Sequence, residues 1–89
     1  MLEAKLRDVT KRGRVLRNSG LVTGTIKRNS GEVVPISMVG YILETYILRN
    51  GLVGSLVIKL EDEELNVKID RVQRDVVINN VINIDTIEL

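Results

Sequence analysis

The sequence predicts a mainly β protein with short helical pieces: a small closed six-stranded β-barrel accompanied by two helices. Three observations carry that expectation. Valine and isoleucine together number 23 of the 89 residues, against two aromatic residues, and β-branched side chains favour strands. Apolar and polar residues alternate with period two over Leu2 to Arg7, Ser55 to Glu61 and Leu65 to Asp70, as in strands with one buried face. Few charged or prolyl residues guard the edges of these short strands, which points to a sheet closed on itself. A chain of this length has room for one hydrophobic core, so residues 1–89 are expected to form a single domain.

Taken in order, Leu2, Ala4 and Leu6 share one face of a first strand, with Glu3, Lys5 and Arg7 on the other. Thr10 to Gly13 breaks the pattern. Arg14 to Ser19 then reads as a short helix, closed by Asn18-Ser19-Gly20 as a C-terminal cap. Leu21 to Lys27 is a second strand and Asn29-Ser30-Gly31 a turn. Val33 to Val39 is strand-like, and Pro35 within it suggests an edge or a bulge. Tyr41 to Arg49 is the stronger helix, because Ile42 and Tyr46, then Leu43 and Ile47, stack four residues apart. That spacing assigns Tyr41 and Tyr46 to packing, and Asn50-Gly51 ends the helix. Leu56, Ile58 and Leu60 form a strand, with Val57 and Lys59 on its other face. After a polar turn, Leu65, Val67 and Ile69 return antiparallel, with Asn66, Lys68 and Asp70 outward. Asn79-Asn80 marks the turn before a last strand, Val81 to Leu89. Period two places Asn83 and Asp85 on one of its faces and Ile82 and Ile84 on the other.

Composition removes most chemistry. Cysteine is absent, which excludes disulfides and thiolate reactions and fits a cytosolic protein. Histidine is absent too, so zinc sites and the usual nucleophile–base pairs lack their main parts. The four serines have no base to activate them. Glu61, Asp62, Glu63 and Glu64 are contiguous at the expected hairpin turn and read as a solvated turn, not a cation site. No cofactor, metal or catalysis is therefore expected. No stretch approaches the ~20 apolar residues of a membrane span, and the N-terminus shows no signal-peptide pattern, so a cytoplasmic location is expected.

Charge is unevenly placed. Residues 1–30 carry eight basic and two acidic groups, a net +6, and residues 31–89 carry five and ten, a net −5. A chain polarised in this way can attract a polyanion with one surface and stay soluble through the other.

Several short sequences are more specific. Leu2-Glu3-Ala4-Lys5-Leu6-Arg7 is followed by Thr10-Lys11-Arg12-Gly13, Leu16-Arg17 and Gly20. Near the other end, Val72-Gln73-Arg74-Asp75 is followed by about eight residues of connector and a strand built as Asn83-Ile84-Asp85. This combination resembles the bacterial large-subunit ribosomal proteins of the L-twenty-five family, which includes the general stress protein Ctc. The likeness is strongest from Val67 to Asp85 and weakest from Thr23 to Gly31. It implies a six-stranded barrel with helices at its ends, which agrees with the reading from periodicity.

The resemblance also implies a partner, 5S ribosomal RNA within the large ribosomal subunit, and a set of contact residues. Arg7 matches the family's arginine at the end of the first strand. Arg12 and Gly13 match the last two residues of its Gly-Lys-Gly loop, whose first glycine is Lys11 here. Arg14-Val15-Leu16-Arg17 looks like a shortened form of its basic helix, on which Arg14 and Arg17 would share a face. Gln73 and Arg74 match its Val-Gln-Arg, where the amide can pair with base edges and the guanidinium can contact phosphate. From the residues alone, Arg74 equally suggests a strand-end salt bridge with Asp70 or Asp75. Asp85 matches the acid of a His-x-Asp face that lies against RNA, with Asn83 in place of the histidine. Asparagine keeps a donor and an acceptor but cannot become cationic. Where the family typically reads Val-Pro-Ala and then Tyr-Gly, this chain has Thr23 for the proline and Lys27-Arg28 for the last pair. Stacking is thereby exchanged for positive charge.

Two functions follow. One is a structural, non-catalytic ribosomal protein, monomeric when free, held to 5S ribosomal RNA through Arg7, Lys11, Arg12, Arg14, Arg17 and Lys27, and reading it with Gln73, Arg74, Asn83 and Asp85. The other is a divergent non-ribosomal paralogue that acts as a protein-interaction module. The missing histidine and tyrosine and the acidic remainder of the chain favour the second, in which the acidic hairpin Glu61 to Glu64 would meet a basic partner.

Overall fold

A computed structural model describes residues 2–7 and 20–89. Within them, six strands close into a barrel: β1 (Leu2–Leu6), β2 (Leu21–Lys27), β3 (Val33–Val39), β4 (Ser55–Leu60), β5 (Glu63–Arg74) and β6 (Val81–Glu88). Their order around the wall is β1-β3-β2-β6-β5-β4, and β4 returns to β1. The pairs β1–β4 and β2–β6 are parallel, and the other four are antiparallel. Closure leaves no free edge to guard, which accounts for the scarcity of edge-protecting residues.

Alternation decides what enters the barrel. Leu2, Ala4, Val22, Ile26, Val34, Ile36, Met38, Leu56, Ile58, Leu60, Leu65, Val67 and Ile84 are buried in one cluster. Leu6 has the inward parity but remains 53% exposed at the barrel mouth, beside Leu21, Met38 and Ile42. Gly24 also faces inward, opposite Ile84. A Cβ there would run into the Ile84 carbonyl oxygen, so glycine is what lets β2 and β6 approach. Thr86 is buried as well, and its hydroxyl donates to the Thr25 carbonyl at 3.0 Å, which satisfies it inside the wall.

Among the described residues there is one helix, α1 (Gly40–Asn50), not two. The segment expected to form the other, residues 14–19, lies outside the described residues. The α1 helix is one residue longer at each end than the expected 41–49. It buries Leu43 and Ile47 against the barrel, with Tyr46 packed beside them, while Tyr41 is exposed and does not pack as expected. Gly51, at φ 75°, ends it with its N–H bonded to the Ile47 carbonyl at 2.8 Å.

Four further expectations change. Pro35 lies in an interior strand, at neither an edge nor a bulge, paired with Thr25 of β2. Its carbonyl accepts the Arg7 N–H at 3.1 Å, and the bond its missing N–H cannot return to Arg7 falls just past the last residue of β1, where the pairing of β1 with β3 ends. β5 runs on from Asp70 to Arg74, because Asp70 is a bulge: Ile69 pairs with Thr86 and Arg71 with Asp85. A second shift leaves Ile82 unpaired between Asn83 and Val81, so Val81 takes the buried place expected for Ile82. The acidic turn is confined to Glu61-Asp62, and Glu63 and Glu64 begin β5.

Candidate nucleic-acid interface

The register of the strands lines up outward side chains in rows across the wall. One row runs Gln73 (β5), Asn83 (β6), Thr23 (β2), Ser37 (β3) and Lys5 (β1). The next runs Arg71, Asp85, Thr25 and Pro35, and reaches Arg7 through the backbone bond already described. A third row holds Lys68, Ile87, Lys27 and Val33. These residues face out because Val22, Ile26, Ile36, Met38 and Ile84, which alternate with them, are buried. The face therefore presents five cations, Lys5, Arg7, Lys27, Lys68 and Arg71, around one registered carboxylate, Asp85. On the other wall, Lys59 of β4 stands between Glu3 and Glu64, next to the Glu61-Asp62 turn.

The middle of the face is tied together by side-chain hydrogen bonds. The Thr25 hydroxyl donates to Asp85 Oδ1 at 2.9 Å, and Asn83 Nδ2 donates to the same oxygen at 3.1 Å. Thr23 Oγ1 lies 2.9 Å from Asn83 Oδ1 and 3.2 Å from the Ile82 carbonyl. Asn83 and Asp85 are thus half-buried and held by β2, each beside its registered threonine.

The expected contact residues fall into three groups. Gln73, Asn83, Asp85, Arg7 and Lys27 stand on this face, and Gln73 and Lys27 are exposed. Among the described residues, Arg7 Nε is buried without a hydrogen-bond partner. Arg74, paired with buried Val81, points away from Gln73. Its Nη1 donates to the Asn79 carbonyl at 2.9 Å and lies 3.5 Å from the Glu44 carboxylate of α1. The salt bridge suggested by its residue type thus forms with Glu44, not with Asp70 or Asp75. Lys11, Arg12, Arg14 and Arg17 lie outside the described residues.

Sequence reasoning missed Thr23 and Thr25 as members of the face, together with Lys5, Ser37, Lys68 and Arg71. The alternation of Thr23 and Thr25 with Val22 and Ile26 gives their direction, but not their partners sixty residues away. It also credited Lys27 and Arg28 alike with positive charge. Arg28 is instead bonded to Glu63 (3.0 Å) and Glu88 (3.0 Å), whose carboxylates raise its pKa. Glu88 in turn is held below the usual carboxylate range by the Asn29 N–H and by Arg28.

No curated protein matches this sequence significantly. The protein-family comparison does match, with the Ribosomal L25p family over residues 2–85, a span that takes in both polar rows. With nearly the whole chain covered and the barrel in place, this protein belongs to the Ribosomal L25p family.

Proposed function

We propose that the protein binds 5S ribosomal RNA in the large ribosomal subunit, as a structural component that catalyses no reaction and works on the ribosome in the cytoplasm. The observation that carries this reading is the pair of polar rows running across five strands, bordered by five cations. Such a wall suits the wide, shallow minor groove of helical RNA, which displays 2′-hydroxyls and base edges. It has no aromatic side chain, since both tyrosines are on α1, so it offers no stacking platform for single strands. Lys5, Arg7, Lys27, Lys68 and Arg71 would meet phosphates, and Gln73, Asn83 and Asp85 would meet bases and riboses. Lys11, Arg12, Arg14 and Arg17 join the phosphate contacts by family resemblance. In a filter-binding assay, 5S ribosomal RNA should be retained at least about tenfold more tightly than transfer RNA at one fixed salt concentration. Equal retention of the two would refute the reading.

One observation favours a protein contact. The β5–β6 turn presents Val76, Val77 and Ile78 at 99%, 86% and 64% exposure, without a charge among them. A protein-interaction module would use that tip and would bind neither RNA.

A further inference from the structure

We propose that Thr23 and Thr25 are positioning residues that lock Asn83 and Asp85 into a donor–acceptor pair reading the minor-groove edge of a guanine. This rests on the RNA-binding reading of the same face.

The lock follows from where protons can be. The carboxylate of Asp85 has none to give, so the group of Asn83 that faces Oδ1 at 3.1 Å must be the amide nitrogen. That turns Asn83 Oδ1 toward Thr23 Oγ1 at 2.9 Å, where the hydroxyl donates. Thr23 is only 3% exposed, which shields the hydroxyl from water that could replace this bond. Thr25 supplies the second donor to Asp85 Oδ1. With Oδ1 occupied twice, Asp85 Oδ2 accepts no hydrogen bond among the described residues, and one N–H of the Asn83 amide is also left over. The pair therefore presents one fixed donor beside one fixed acceptor, two residues apart on the same face of β6.

Only one base edge matches. In the minor groove every base pair offers acceptors, and guanine alone adds an amine donor. The spare Asn83 N–H meets the acceptor that all bases share, while Asp85 Oδ2 meets the guanine N2 amine. Adenine, cytosine and uracil offer the carboxylate no base donor at this edge, so beside them it gains at most a 2′-hydroxyl and loses the guanine-specific bond.

The test uses synthetic 5S ribosomal RNA in which single guanosines are replaced by inosine, which lacks only the 2-amino group. At one position, inosine should weaken binding of the unmodified protein about tenfold and leave the Asp85→Asn variant unaffected. Thr23→Val and Thr25→Val should each reduce that guanosine preference, and Thr23→Ser and Thr25→Ser should retain it. A purely structural role for the threonines would change overall affinity or stability but not the guanosine-to-inosine ratio. Tight binding of the unmodified RNA with no inosine-sensitive position, or valine variants with an undiminished ratio, would overturn this assignment alone. Failure to bind the unmodified RNA would refute the RNA-binding reading and this assignment with it.

Discussion

Lys27 and Arg28 are adjacent cations whose surroundings differ. Lys27 is the outward last residue of β2, with Ile87 and Val33 as its registered neighbours. Arg28 is bonded by Glu63 and Glu88, and the Asn29 N–H also donates to Glu88, at 3.0 Å. These bonds tie the β2–β3 turn to the start of β5 and the end of β6. Because Glu88 has a lower pKa in the fold than its ordinary value near 4.5, the unfolded chain takes up its proton first as the pH falls. The stability it contributes is therefore complete above about pH 4.5 and disappears as the pH falls through the lower folded-state value. Glu88→Gln should lower Tm at pH 7, and the two proteins should converge as the pH falls below the ordinary carboxylate range. A difference in Tm that persists unchanged into acid would show that Glu88 does not act through its charge.

At the scale of elements, the β5–β6 hairpin holds most of what the sequence did not reveal. Strict alternation ends at Ile69, and the next core-facing apolar residue is Val72, three positions on. That spacing of three is the trace of the Asp70 bulge, and a period-two reading stops there. The bulge is also what aims Arg71 and Gln73 outward beside Asp85 and Asn83. The turn that follows is built by Asp75, whose Oδ1 accepts the N–H groups of Val77 (2.8 Å) and Ile78 (3.2 Å). Those bonds hold its carboxyl below the usual range. Asn79 takes the left-handed conformation at φ 59°, which asparagine tolerates, and its carbonyl is held by Arg74. An apolar tip is thereby kept on an ordered support. Asp75→Ala should make the Val77 and Ile78 amides exchange with deuterium faster, while the core amides of Leu65 and Val67 keep their protection. Unchanged exchange at the tip would mean that Asp75 does not order it.

At the scale of the molecule, the fold class was legible because each strand declares itself locally, whereas the order of strands was not. The parallel joins β1–β4 and β2–β6 bring together segments more than fifty residues apart, and periodicity carries no record of them. For the same reason Asn83 and Asp85 were recognisable as candidates while their threonine partners were not. The charge count was likewise incomplete, since it did not show which cations the fold neutralises. The difference can be measured. If all nine cations assigned to phosphates reach them, the logarithm of the RNA affinity should fall against the logarithm of salt concentration with a slope of roughly −8. Replacing Lys27 and Arg71 together with Gln removes two charges from the polar wall and should flatten that slope by about one to two units. Arg28→Gln removes a charge from the same stretch of sequence, yet one already matched by Glu63 and Glu88. It should leave the slope unchanged and lower stability instead. If Arg28→Gln flattened the slope as much as the Lys27 and Arg71 replacements, RNA binding would be tracking total basic charge and not the wall that the barrel builds.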